Sequence, residues 1–427
     1  MIDDFLWRMR RVSAQFERLR ASVALRGWAG TLERMRDAGP RPAVGPASLP
    51  PDPTTDDDRP RMLVIESRVP DPRRDAGSQR LLAMLRLLAD AGWRIDVFSD
   101  MEPWSVDAAA RLAGCGVHLR DGSVPAWLRT HGERLDAAML CRAPIAAQYQ
   151  NLVRRHAPGA RLVFDTVDLH FLREERAAHT LGGAELHRGA ARSRRRELQL
   201  VAASDLCLVV SETERALLAD ALPGSRIEVL SDIQDVHGRN GDFESRSDLL
   251  FIGGFGHPPN LDGMRWFLEA VWPQLLRADP AMQLHVAGDL NREARALLTR
   301  ERVVPHGRVD DLGALLAACR VSIAPLRFGA GVKGKVNMAM SHGVPVVATS
   351  IAAEGMHLRD GEDVLVADDA EAFGQAVLRA YRDPGLWMRL SNGGLANVER
   401  HFSTVVARQA IARLFPAPRP TGESRWA

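Results

Sequence analysis

Four cysteines in 427 residues is a small number. Cys115, Cys141, Cys207 and Cys319 are scattered, and no two stand at zinc or redox spacing, which argues against a disulfide framework, a structural zinc or a dithiol centre. Three of them fall in apolar strand or helix contexts and read as buried thiols, suited to a reducing cytoplasm. No apolar run reaches the roughly 18–20 residues that a membrane helix needs. The opening MIDDFLWRMRR carries acids and no apolar h-region, so it does not read as a secretory signal. An excess of either charge is also missing: 56 basic residues face 54 acidic ones, a formal net charge of +2. That balance gives no whole-protein argument for nucleic acid as a partner. Arginine far outnumbers lysine, which reads as genome composition. The first strand-loop-helix unit, with Gly77 at its loop-to-helix junction, carries no G-x-G-x-x-G dinucleotide fingerprint, and no D-x-D-type metal site is evident.

The length predicts two domains. Residues 1–38 are an amphipathic helical segment in which Phe5, Met9, Val12, Phe16, Leu19 and Val23 recur at spacings of four and three, flanked by arginines. Docking on the protein or on a partner helix, peripheral contact with an anionic membrane, and a remnant of a longer chain are all open readings of it. Residues 39–60, rich in Pro and Asp, read as a disordered linker. From Arg61 the pattern alternates apolar strands with helices, which predicts α/β architecture with parallel sheets. A first domain is expected over 61–236 and a second over 245–400, joined through the polar stretch 237–248. A helix near Gly394 to Arg400, a last amphipathic helix within 401–415 and a disordered tail over 416–427 complete the chain. An arginine-rich helix is predicted over 177–200, and Ser211 to Glu214 reads as a capping box.

The most informative stretch is Val321 to Met356. It reads as strand, glycine-rich loop, a helix of about two turns from Gly334 to Ser341, then the strand Val346 to Thr349. Gly329, Gly331 and Gly334 let the backbone approach a ligand, while Arg327, Lys333 and Lys335 supply positive charge. Free amides at a helix N-terminus with two or three cations make an anion site, and a diphosphate fits its size.

This stretch resembles the donor-binding segment of the retaining GT-B glycosyltransferases of family 4 (glycosyltransferase group 1). One branch carries P-L-R-x-G-x-G-x-K/R-x-K-x-x-E-A-M-x-x-G-x-P-V-V-A-T. Pro325, Leu326, Arg327, Gly329, Gly331, Lys333, Lys335, Ala339, Met340, Gly343, Pro345 and Val346 to Thr349 match it. The wider family is marked by two glutamates eight positions apart, and here those positions hold Ala330 and Met338. The resemblance covers about four-fifths of the chain and implies that the last helix, within 401–415, crosses back to the first domain. It implies two doubly wound, Rossmann-like domains facing a cleft, and transfer of a sugar from a nucleotide diphosphate sugar to an acceptor hydroxyl with retention, without metal or other cofactor. Cell-surface glycan synthesis is the expected setting, at a cytoplasmic site; a glycan, a lipid-linked sugar and a protein all stay open as acceptor, and it is the basic segment 1–38 that raises the inner face of the plasma membrane.

The same resemblance, with the residue pattern, nominates the site. Gly77 at a loop-to-helix junction, Gly253 and Gly254 after a strand, and Arg308 after the strand Val303 to Gly307 join Arg327, Gly331, Val332, Lys333 and Lys335 as donor-binding residues. Glu354 is read either as a contact to a donor-sugar hydroxyl or as a loop cap. In FDTVDLHFLREER, a strand C-terminus where α/β proteins bind ligands, Asp168 stands where the family often has a histidine, and His170 follows two residues on. Both are expected to orient hydroxyls or shuttle a proton; an N-capping acid at a solvated helix start is the structural alternative. Arg142 falls on or next to the place of another family histidine and is expected to take over a phosphate or sugar contact.

Overall fold

The structure, a computed structural model, describes residues 59–71, 75–100 and 106–416. The expected N-terminal helical segment and nearly all of the expected linker and tail lie outside the described residues.

The first domain opens with β1 (Arg61–Glu66), α1 (Ala76–Asp90), β2 (Arg94–Ser99), α2 (Val106–Ala113), β3 (Val117–Arg120) and α3 (Val124–His131). It continues through β4 (Ala137–Cys141), α4 (Ala143–His156), β5 (Arg161–Asp165), α5 (His170–Leu181), α6 (Ala184–Ala202), β6 (Leu206–Val209), α7 (Glu212–Ala221) and β7 (Ile227–Val229). Its strands are parallel, in the order β3-β2-β1-β4-β5-β6-β7. Strands buried on both faces read as continuous apolar runs, as MLVI does here. Met62 and Val64 pack into the core on one face, and Leu63 and Ile65 into the core on the other.

The second sheet repeats the pattern. It is built from β8 (Ser247–Ile252), α8 (Pro258–Trp266), α9 (Trp272–Ala278), β9 (Leu284–Ala287), α10 (Arg292–Leu297), β10 (Val303–Gly307), α11 (Gly313–Ala318), β11 (Cys319–Ala324), α12 (Gly334–Ser341), β12 (Val346–Ala348), α13 (Ser350–Ala353) and β13 (Leu365–Val366). Its strand order is β10-β9-β8-β11-β12-β13. Helices α14 (Ala370–Arg382), α15 (Pro384–Phe402) and α16 (Thr404–Leu414) close the described chain. In both sheets the order reverses at the first strand of the domain, between β1 and β4 and between β8 and β11, which makes a crevice at the carboxyl ends of the strands.

Three readings of the sequence need correction. The arginine-rich helix is two helices, α5 and α6, because Gly182 and Gly183 break it with φ of 74° and 106°. The helix read near Gly394 to Arg400 begins ten residues earlier, at Pro384, capped by the Asp383 carboxylate, which accepts from the amides of Gly385 and Leu386. The polar stretch 237–248 is strapped to the second domain. Its Arg246 is buried and donates to the carbonyls of Leu316 and Asn240 at 2.6 and 2.7 Å. Helix α16 forms over the expected segment and returns to the first domain, where Ala407, Ile411, Leu414 and Phe415 enter its core. Trp93 Nε1 and Arg161 Nη1 fasten its end by donating to the carbonyls of Phe415 and Leu414 at 3.2 and 2.8 Å. No helix among the described residues is long and apolar enough to cross a membrane.

Candidate active site at the facing sheet edges

At the crevice of the second sheet, the N-terminus of α12 has no side-chain cap. An N-terminus left this way presents free amides and the positive end of the helix dipole. Lys333, the residue before the helix, is buried, and its Nζ donates to the carbonyls of Ala330 and Gly331 at 3.2 and 2.5 Å. Lys335 is half-buried; its Nζ donates to Asn260 Oδ1 at 2.5 Å and lies 4.3 Å from the centre of the Phe251 ring. These are the only two lysines in the chain, and neither forms an ion pair among the described residues. Burial pushes Lys333 down to about 8, with Glu214 and Glu354 acting against that shift. Burial, with the charge of Lys333, pushes Lys335 down to about 7.

The other expected donor-side residues gather around these amines to different degrees. Gly253 is required by close approach, since a Cβ there would stand 2.8 Å from Lys335 Nζ and 2.7 Å from Asn260 Nδ2. Gly254 continues the lip toward Asp289, which pairs in the open with Arg308 at 2.7 Å. Arg327 is tied to Asp262 of α8, with its Nε 2.9 Å from Oδ2. That contact leaves the two lysines as the unpaired positive charge of the loop. Val332 packs onto the second-domain core, and Ala330 onto the core of the first.

The loop 329–334 reaches the opposite domain. Gly331, with φ of 70°, packs its backbone on Asp168 and Val210, and a Cβ there would stand 3.1 Å from Asp168 Cβ. At Gly334 a Cβ would collide with Ala76 at the start of α1. Asn337 Nδ2 donates to the buried Asp232 at 3.0 Å across the same boundary. Arg176 of α5 completes the clasp, with a two-pronged contact to Glu354 at 2.6 and 2.7 Å and a bond to the Gly329 carbonyl at 2.8 Å. Glu354 is therefore engaged by an arginine of the first domain.

On the first-domain side, Asp168 is paired with Arg173, and His170 Nε2 lies 3.5 Å from its Oδ1. Burial, with Arg142 nearby, pushes the His170 imidazolium well below its ordinary range, so the ring is neutral at pH 7. Arg142 stands at the crevice between β1 and β4 with φ of 75°, and Val167, beyond the next strand, has φ of 64°. Backbone strain of this kind concentrates at functional sites. The Nε of Arg142 donates to the buried Glu66 at 3.2 and 3.3 Å, while its terminal amino groups have no hydrogen-bond partner among the described residues. Its Nη2 lies against Gly77, 2.9 Å from the place of a Cβ. Thus Gly77 and Arg142 form one group on the first domain, His170 and Asp168 lie beside it, and Asp168 touches the donor loop.

Two other acidic residues have separate roles. Asp165 belongs to a fully buried two-pronged pair with Arg80, at 2.8 and 3.0 Å. Glu66 was missed in the sequence because it reads as the last residue of an apolar strand.

Comparison with known proteins places this arrangement. Residues 246–383 match the family described as glycosyl transferases group 1. An uncharacterized 44.6 kDa protein in the cps region of Klebsiella pneumoniae is 29% identical over 140 residues, 31% of this chain and 36% of that protein. A phosphatidyl-myo-inositol mannosyltransferase of Mycobacterium leprae (strain TN) is 31% identical over 183 residues, 41% of this chain and 47% of that protein. The chain spans less than half the length of the curated relatives it matches. The structure of Anabaena HepE in complex with UDP and glucose superposes with a TM-score of 0.62 at 15% identity, covering 83% of this chain and 98% of HepE. The fold is GT-B, two Rossmann-like domains with facing crevices.

Proposed function

We propose that the protein is a glycosyltransferase that moves a sugar from a nucleotide diphosphate sugar to an acceptor hydroxyl, with retention of anomeric configuration. The observation that carries this reading is the position of the chain's only two lysines, both unpaired at the uncapped N-terminus of α12. A buried amine without a carboxylate is costly unless an anion completes it, and the diphosphate of a nucleotide sugar supplies two negative charges. The family match over the second domain, the mannosyltransferase relative and the UDP held by HepE support the same donor class.

In this mechanism the bond from the sugar C1 to the diphosphate oxygen breaks as C1 bonds to the acceptor oxygen. The acceptor proton passes to the leaving phosphate. Charge developing on that phosphate meets the α12 amides, Lys333 and Lys335, placed before the reaction begins. Gly253, Gly254, Gly331 and Val332 give the donor close backbone approach, and Arg308 and Arg327 line the lip through Asp289 and Asp262. Neutral His170 and Asp168 orient hydroxyls, while the terminal amino groups of Arg142 beside Gly77 bind a phosphate or sugar oxygen. The acceptor is a glycan or a lipid-linked sugar on the first-domain side.

Calorimetric titration with UDP, GDP, ADP and dTDP, without metal, tests the donor site. One diphosphate binds at micromolar concentration, and Lys333→Ala weakens it by about 1–3 kcal/mol. Unchanged affinity in the variant removes the phosphate assignment. A second reading, a non-catalytic nucleotide-sugar or glycan-binding subunit, is favoured by one observation: the two positions marked by glutamates in the family hold the apolar Ala330 and Met338, which pack against the domain cores. Diphosphate binding without any transfer or hydrolysis of the matching nucleotide sugar would establish it.

A further inference from the structure

Helix α5 carries His170 and Arg173 in its first turn and Arg176 one turn later, with Asp168 just before it. Its own N-cap position is Leu169, fully buried and without a side-chain acceptor. The amides of such a turn ordinarily find a Ser, Thr, Asp or Asn at the cap. Here two glutamates from other helices supply the acceptors. Glu197 of α6 accepts from the amides of His170 and Phe171 at 3.2 and 2.9 Å, one through each oxygen. Glu214 of α7 accepts from Leu169 at 3.2 Å through one oxygen and from Val210 at 3.2 Å through the other. Both carboxylates are 1% exposed. Carboxylates are almost never buried this fully without a purpose that offsets the desolvation.

We propose that Glu197 and Glu214 are positioning residues of the site: together they fix the backbone of 169–171, and through it the side chains that face the donor loop. The proposal rests on the glycosyltransferase reading for its effect on turnover. The geometry stands without that reading. Neither carboxylate is free to touch substrate, because all four oxygens are taken by backbone amides. The surroundings agree with a role inside the fold. Burial raises Glu197 to about 7, the two amides and Arg173 act against it, and Glu174 adds to it. Burial raises Glu214, opposed by its amides and Lys333 and aided by Glu354. Glu197 also has a sequence signature, visible once the role is known: it sits three and four residues before Leu200 and Val201, on the buried face of α6.

The test uses the full chain with Glu197→Gln and Glu197→Met, and Glu214→Gln beside them. Gln keeps the shape and one acceptor oxygen, whereas Met removes both acceptors. Hydrogen exchange of the peptide covering 166–172 is measured together with the affinity for whichever of UDP, GDP, ADP and dTDP binds the wild type, and with the steady-state kinetics of turnover of the matching nucleotide sugar. In Glu197→Gln, exchange of that peptide accelerates about tenfold while the rest of the domain is unchanged. Diphosphate affinity and donor KM stay within about twofold, and kcat falls by about 10–100-fold. Glu197→Met shows a larger change in the same peptide, or fails to fold, in which case the Gln variant decides. Exchange of 166–172 that is unchanged in Glu197→Gln overturns the proposal. So does a fall in kcat that is matched by equal losses of affinity and global stability. A wild type that binds no nucleotide diphosphate overturns the glycosyltransferase reading instead, and confined acceleration of exchange then still supports the holding role of the two carboxylates.

Discussion

A buried amine loses its hydration and regains it only in part from neutral carbonyl and amide oxygens. Lys333 is in that state and the half-buried Lys335 partly so, and their depressed ionisation has a direct consequence. The usual lysine value is 10.5, and the folded protein holds these two near 8 and 7. Between those values and 10.5 the unfolded chain binds more protons than the folded one, so this pair makes stability rise with pH across that window and lowers it below. A diphosphate favours the charged amines and pulls their ionisation back up. Binding at pH 8.5 therefore takes up about one to two protons, read as the dependence of calorimetric enthalpy on the ionisation enthalpy of the buffer. Binding with no proton uptake at that pH would contradict the account. The two lysines were legible in the sequence as an anion site. The partners of their neighbours were not: the Asp262 contact of Arg327 spans 65 residues and the Glu66 contact of Arg142 spans 76. Such pairings are set by strand order and leave no local pattern.

At the scale of elements, the strands and α12 were readable because continuous apolar runs and a glycine-flanked helix leave strong local signals. The α5–α6 break was hidden because periodicity runs through it and only the paired glycines mark it. Helix α16 was readable as an amphipathic segment, but its destination was implied only by the resemblance. The structure gives that destination an energetic meaning. Ile411 is buried in the first-domain core, so Ile411→Ala loses its packing and leaves a cavity. A destabilisation of about 2–4 kcal/mol is expected in urea unfolding of the first domain. A loss below about 0.5 kcal/mol would place the helix on the surface rather than in the core.

For the whole molecule, the two crevices face each other and meet at α12, α1 and α5. Arg176, Glu354 and the Gly329 carbonyl form the main charged contact between the domains, partly buried and two-pronged, a geometry in which an arginine–carboxylate pair is at its strongest. Arg176→Ala removes it. The domains then open on average, seen as an increased radius of gyration in solution scattering without loss of either domain's helix content. An unchanged radius would assign the contact no part in closure. This pairing, 178 residues apart in sequence, was not legible: Glu354 read as a ligand contact or a loop cap, and Arg176 as part of a charged helix start. Neither side chain announces a partner in another domain.

The central claim is that the N-terminus of α12 and its two lysines hold a nucleotide diphosphate. Because the chain contains only Lys333 and Lys335, protein labelled with 13C at lysine Cε gives two side-chain NMR resonances, each assigned by a Lys→Arg variant. On addition of the diphosphate selected by calorimetry, both resonances shift, and both titrations move upward in pH by about one unit or more. If the diphosphate binds and neither resonance moves, the anion site lies elsewhere and the functional reading built on it is wrong.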